Sequence, residues 1–232
     1  MHDFLILFDV DATLLITGGS GMRSMERAGL DLFGPRLRWD AIEPSGGLDP
    51  QLLSQAALQG NMLLEPEHHE AFRTRYVAIL EGELKRNAHA VRAMPGIHEV
   101  LALLRARTDV VLGLLTGNYR EAAFLKLQAV GVDPAWFSVA AFGDEARSRP
   151  ELVALAMRRY EALFGAPPCR DRVLVIGDTP KDVDAALKNG CVAFGVATGK
   201  YGRDELEAAG AHVTVKDLSD PAPLVSRIAD GK

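Results

Sequence analysis

Apolar residues fall in two rhythms along the 232-residue chain. The first is a set of short unbroken runs: Phe4-Leu5-Ile6-Leu7-Phe8, Val110-Val111-Leu112-Gly113-Leu114-Leu115, Val173-Leu174-Val175-Ile176 and Val192-Ala193-Phe194-Gly195-Val196. Runs of this length without polar alternation mark strands covered on both faces, as in parallel sheets. Residues 138–142 and 212–215 are weaker members of the set. The second rhythm is helical: Ile97, Val100, Leu101 and Leu104 recur at i, i+3, i+4 and i+7 behind Pro95-Gly96, and 149–164 reads as another helix. Strand, helix, strand in this order predicts an α/β fold, a Rossmann-like doubly wound parallel sheet with right-handed crossovers. Ligands collect at the carboxyl ends of such strands.

The first two runs lie about a hundred residues apart, where a parallel crossover needs only about a dozen. The interval has its own helical pattern over 20–33, 50–58 and 66–85, the last with Phe72, Tyr76, Ile79 and Leu80 on one stripe, and a loop at Glu43-Pro44-Ser45-Gly46-Gly47. The reading is an inserted all-helical cap over 17–88, with a catalytic core formed by 1–16 and 89–232. Gly18-Gly19 and residues 87–89 are the expected hinges.

At 48% apolar and 25% charged residues the chain has the balance of a globular protein. Lys and Arg number 26 against 31 Asp and Glu, for a net charge of −5, and no basic run resembles a phosphate-backbone footprint, so nucleic acid is not an expected partner. Cys169 and Cys191 have neither CxxC spacing nor a His cluster nearby. The amino terminus lacks a basic region and cleavage site, and no apolar run approaches the roughly 20 residues that cross a bilayer. A cytoplasmic monomer or homodimer, away from membranes, is the expectation.

The chemistry gathers where the apolar runs stop. Asp9, Asp11 and Thr13 follow the first, Thr116-Gly117-Asn118 the second, and Gly177-Asp178-Thr179-Pro180-Lys181-Asp182 the third, while Arg149 opens a helix between the last two. Two carboxylates at the end of a buried strand need a counter-charge, since an unpaired ionised group in a dry site is very costly. A divalent cation with a phosphorylated ligand supplies one. Singly, Asp9 and Asp11 read as a turn or cap, Thr116 as a helix cap and Arg149 as a surface residue; together and in this order they form a pattern. His68-His69 reads as a solvated helix face, and Trp39, Trp136, Phe72, Met22 and Met62 read as packing.

With Asp-x-Asp-x-Thr, a later Thr, a basic residue and Gly-Asp-x-x-x-Asp in register, the chain resembles the haloacid dehalogenase superfamily of phosphohydrolases. The resemblance is to the branch with a small helical cap, which includes phosphoglycolate phosphatases and β-phosphoglucomutases. It implies Mg²⁺-dependent phosphoryl transfer through an aspartyl-phosphate, on a small phosphorylated metabolite. By that resemblance Asp9 is the nucleophile and Asp11 the general acid and base. Thr116, Gly117, Asn118 and Thr13 bind the phosphoryl group, and Arg149 is the stabilising cation, with Arg147 as a competitor for that role. The metal falls to Asp9, Asp178, Asp182 and the backbone carbonyl of Asp11.

Three positions depart from the family pattern. Ala12 replaces the usual Gly, which implies an ordinary negative φ at that turn. Arg149 stands where Lys is commoner. The cap segment Gly46-Gly47-Leu48-Asp49 lacks the cation found there in related phosphatases and mutases. An Asp at position 11 favours phosphate esters over haloacids, leaving a phosphohydrolase as the reading, with a phosphomutase or a non-catalytic phosphometabolite-binding protein as alternatives.

Overall fold

A computed structural model of the chain describes residues 4–230. Strand β1 (Phe4–Phe8) has no exposed side chain, and its residues alternate between two cores, as a period of two requires. Phe4, Ile6 and Phe8 enter one apolar cluster, and Leu5 and Leu7 the other. A two-stranded antiparallel ribbon, β2 (Leu15–Ile16) with β3 (Arg92–Ala93), closes off the insertion between them. The remaining strands are β4 (Val110–Leu115), β5 (Val139–Ala141), β6 (Val173–Gly177), β7 (Val192–Val196) and β8 (Val213–Val215).

The large sheet runs in the order β5-β4-β1-β6-β7-β8 and is parallel throughout. One face is covered by α4 (Ile97–Arg105), α5 (Arg120–Ala129) and α9 (Ala222–Asp230), the other by α6 (Arg149–Phe164), α7 (Pro180–Lys188) and α8 (Arg203–Ala208). The chain leaves β1 towards β4 and later returns to the opposite side of β1 at β6. That reversal opens a crevice beyond the carboxyl ends of β1, β4 and β6.

Three helices fill the interval after β2: α1 (Ser20–Phe33), α2 (Asp49–Gln59) and α3 (Pro66–Arg86). They pack on a third cluster that contains Met25, Leu53, Phe72, Tyr76 and Leu80, and α5 contributes Ala122 to it. Pro at the first turn of α2, α3, α6 and α7 suits positions whose N–H has no helical partner. The chain enters α1 through Gly18 and Gly19, both at positive φ, and returns through a 3₁₀ turn at Ala88–Ala90. A Cβ on Gly18 would lie 2.4 Å from Cβ of Ala90, so the two connections pass in contact. His68 accepts the Glu65 N–H at the start of α3 through Nδ1, which makes it a capping residue. Among the described residues no helix is long and apolar enough to cross a membrane.

Candidate active site

The three sequence segments meet in that crevice. Asp9 follows β1 directly and is 5% exposed; its N–H donates to the Ile176 carbonyl at 2.9 Å, which holds the end of β1 against β6. The Arg149 guanidinium, also buried, sets Nη2 2.7 Å from Asp9 Oδ1 and donates from Nε to Asp182 Oδ1 at 2.6 Å. The Nη2 contact with Asp9 is a buried ion pair. Arg147 is exposed and its carbonyl accepts from Gln51 Nε2 at 2.5 Å, so of the two arginines it is Arg149 that reaches Asp9.

Asp182 is held from its own helix. Its Oδ2 accepts from the Thr179 hydroxyl at 2.6 Å and from the Thr179 N–H at 3.1 Å, while the Thr179 hydroxyl accepts from the Asp182 N–H: a capping box at the start of α7. The Gly177 position cannot carry a side chain, because a Cβ there would lie 2.2 Å from Asp182 Cγ. Asp178 Oδ1 accepts from the Thr13 hydroxyl at 3.2 Å. Thr13 is therefore engaged with an acidic residue of the crevice.

Asp9, Asp178 and Asp182 are all buried, and each offers an oxygen within 4.8 Å of the others. Burial is the main force raising the Asp9 carboxyl to about 7, with Asp182 and Asp11 adding to it and Arg149 opposing. Burial, then Asp9 and Asp182, raise Asp178 to about 8. One guanidinium thus faces three carboxyl groups and leaves negative charge uncompensated. An all-oxygen donor set with surplus charge suits a hard divalent ion, and Mg²⁺ needs few protein ligands because it retains several waters. These residues fit the ion that the sequence implied.

Asp11 turns away from that cluster. Its Oδ2 accepts from Asn118 Nδ2 at 2.8 Å and from Lys126 Nζ at 2.6 Å, and Lys126 donates also to Asn118 Oδ1. Asp9 and Asp11 therefore face different partners across the cavity. Thr116 is buried at the end of β4, where its Oγ1 accepts the Asn118 N–H at 3.3 Å, and Gly117 and Asn118 line the cavity. The sequence alone does not single out Lys126. Its signal was a lysine on the buried stripe of α5 beside Ala122, Ala123 and Leu127, where 4% exposure demands a carboxylate partner.

The helical insertion covers the crevice with the loop that precedes α2. The Asp49 N–H donates to the Gly117 carbonyl at 2.7 Å, and Asp49 Oδ2 accepts the Tyr119 N–H at 2.9 Å. Backbone meets backbone here, since a Cβ on Gly117 would lie 1.8 Å from the Gly47 carbonyl oxygen. Lys181 Nζ donates to the Ser45 carbonyl at 2.8 Å on the other side of the loop. Burial raises the Asp49 carboxyl to about 7, against the pull of Lys126 and the Tyr119 N–H. The cavity measures about 250 Å³, and Met22 forms part of its wall as well as packing among the inserted helices.

One sequence expectation fails. Ala12 has φ of 60°, in the left-handed region, where a negative value was expected. The turn is fixed from both ends: the Ala12 N–H donates to Leu15 O at 2.7 Å, and the Ala12 carbonyl accepts from the Thr198 hydroxyl at 2.6 Å. These bonds, with Leu14 N–H on Val10 O, outweigh the local preference of alanine. The left-handed conformation costs an L-residue roughly 1–2 kcal/mol, and glycine gives back about 0.5–1 kcal/mol through its looser unfolded chain. Ala12→Gly is therefore expected to raise Tm slightly, by up to about 1 kcal/mol of stability, measured by calorimetric melting.

Residues 5–190 match the model of the haloacid dehalogenase-like hydrolases, and the chain belongs to that family. It is 31% identical over 139 residues to a phosphoglycolate phosphatase of Synechococcus elongatus, a match that takes in 60% of this chain and spans 62% of that relative's length. Among solved structures it is similar to a hydrolase from Pseudomonas syringae (24% identity, 97% and 99% of the two chains, TM-score 0.69). It also resembles CbbY from Rhodobacter sphaeroides, solved in complex with phosphate (22%, 94% and 96%, TM-score 0.69), and a β-phosphoglucomutase from Clostridium difficile (15%, 99% and 98%, TM-score 0.71). At these identities the structural likenesses establish the fold: a Rossmann-like parallel core with added helices.

Proposed function

We propose that the protein hydrolyses the phosphate monoester of a small metabolite, with Mg²⁺, through a phosphorylated Asp9. The observation that carries this is the buried set Asp9, Asp178, Asp182 and Arg149 at the switch point of the sheet. Family membership and the name of the Synechococcus relative support a phosphate ester as the substrate.

In the first half-reaction an Asp9 carboxylate oxygen attacks phosphorus as the ester P–O bond breaks, and Asp11 gives its proton to the departing oxygen. In the second, Asp11 takes a proton from water as that water attacks phosphorus and frees the Asp9 carboxylate. Arg149 holds Asp9 in line and faces the charge on the transferred group, with the N–H groups of Gly117 and Asn118 as further donors. Asp9, Asp178, Asp182 and the Asp11 carbonyl would hold Mg²⁺, which neutralises phosphoryl charge when bound. Asn118 and Lys126 fix the Asp11 carboxyl on the leaving-group side.

Residues 17–88 act in this reading as a cap. Its docked loop, latched by Asp49 to the Gly117–Tyr119 backbone, excludes bulk water, and it swings on the Gly18-Gly19 and 87–89 connections to release product.

Phosphate release across a panel of phosphorylated metabolites, with and without Mg²⁺, tests the activity. Turnover of at least one ester that stops with EDTA is expected; ligand binding without turnover would point to a sensor, and isomerised product without free phosphate to a mutase. Metal binding has a signature of its own. Mg²⁺ added to EDTA-stripped protein at one hundred times its Kd contributes about 2.7 kcal/mol, a Tm rise on the order of 5–10 °C. Asp178→Asn should remove most of that rise.

A further inference from the structure

The cavity extends past the phosphoryl end into a half walled by the cap, and its charges are unevenly used. Three cations line it, and each already has a carboxylate: Arg149 holds Asp9 and Asp182, Lys126 holds Asp11, and Lys200 holds Glu43. Asp49 also faces this half, and only its Oδ2 has a hydrogen bond among the described residues. An ammonium carries three N–H donors. Lys126, 96% buried, uses two, on Asp11 and Asn118. Lys126 thus keeps one donor and Asp49 one acceptor oxygen, and both residues line the cavity.

A hydroxyl group matches that pair, because it donates and accepts at once. A second carboxylate or phosphate does not match. It would meet Asp49 and Asp11 with no free cation to offset them, and like charges in contact discriminate strongly. The wall from Met22, Met25 and Leu52 suits the C–H faces of a short carbon chain. A volume of about 250 Å³ lies under the roughly 300–1,000 Å³ of pockets for drug-sized ligands, so that chain has few carbons.

We propose that the cap-side half of the cavity is a polyol subsite, in which Lys126 and Asp49 bind hydroxyls of a short sugar or polyol monophosphate and Asp49 repels substrates carrying a second anionic group. This deepens the phosphohydrolase reading and rests on it. Asp49 and Lys126 act here as specificity-determining residues.

The test compares, at pH 8, racemic glycerol phosphate with phosphoglycolate, which present the same phosphoryl group beside hydroxyls or beside a carboxylate. Wild-type kcat/KM is expected to be at least about tenfold higher for glycerol phosphate, the consequence of one unmatched charge. Asp49→Asn keeps an acceptor for the Tyr119 N–H while removing the charge, and should bring the ratio down about tenfold through phosphoglycolate KM. Calorimetric titration of the Asp9→Asn protein with both esters reads the subsite without turnover and should give the same order of affinities. Preference for phosphoglycolate in either assay overturns the subsite and leaves the hydrolase standing. A ratio that Asp49→Asn does not move overturns the role of Asp49. No hydrolysis of any ester, with glycerol phosphate still the tighter ligand, overturns the hydrolase and retains the subsite.

Discussion

Replacing Asp9 with Asn is expected to lower Mg²⁺-dependent hydrolysis of an aryl phosphate by roughly 10⁴-fold or more, in the range that loss of a covalent nucleophile produces. Asparagine has nearly the same shape and fills the same buried position, so the packing around β1 is retained. The charge it removes is one the apoprotein holds at a cost: burial raises the Asp9 carboxyl to about 7. The Asp9→Asn apoprotein should therefore melt no lower than wild type at pH 8. Loss of turnover with unchanged or raised Tm separates a chemical role for Asp9 from a structural one, and turnover within tenfold of wild type would remove Asp9 from the mechanism.

Arg149→Met should be the most destabilising substitution in the site. It strips the guanidinium that, among the described residues, reaches both Asp9 and Asp182, and breaking a buried pair from one side costs about 3–5 kcal/mol. At about 2–4 °C per kcal/mol for a chain of this size, Tm falls on the order of 6–20 °C at pH 8. The pH dependence has a definite sign. Asp9 and Asp178 titrate higher in the folded protein than in the unfolded chain, at about 7 and about 8. Between about pH 4 and those values the native state binds more protons, so stability falls as pH rises. Without Arg149 both carboxyl groups shift higher still and the fall steepens. The Tm gap between wild type and Arg149→Met should narrow at pH 5 and widen at pH 8 in metal-free buffer, and Arg149→Lys should recover part of it.

Much of this was legible in the chain. The four unbroken apolar runs and the two weaker ones became the six parallel strands, and the helix expected over 20–33 is α1 to the residue, because burial and amphipathic periodicity leave few alternatives. The β2–β3 ribbon was not legible: two residues a side carry no periodicity, and the pairing is imposed by the two connections passing each other. Asp9, Asp178 and Asp182 lie where the sequence ends a strand or opens a helix at the crevice, whereas the choice of Arg149 over Arg147 needed the ion pair with Asp9. Lys126 and Asp49 were harder to see because their partners, Asp11 and the Tyr119 N–H, lie 115 and 70 residues away and come from other elements. Ala12 was misread for a related reason: its positive φ is set by Leu15 and Thr198, not by its own side chain.

In the proposed mechanism phosphorus becomes bonded to Asp9 during turnover. Borohydride reduces an acyl phosphate to an alcohol, so acid-quenching the enzyme in mid-turnover, reducing it and sequencing the peptides by mass spectrometry reads the attachment site directly. Homoserine at position 9, seen only with both substrate and Mg²⁺ present, is the expected result. Reduction at another carboxylate, or at none while phosphate is being released, would contradict it.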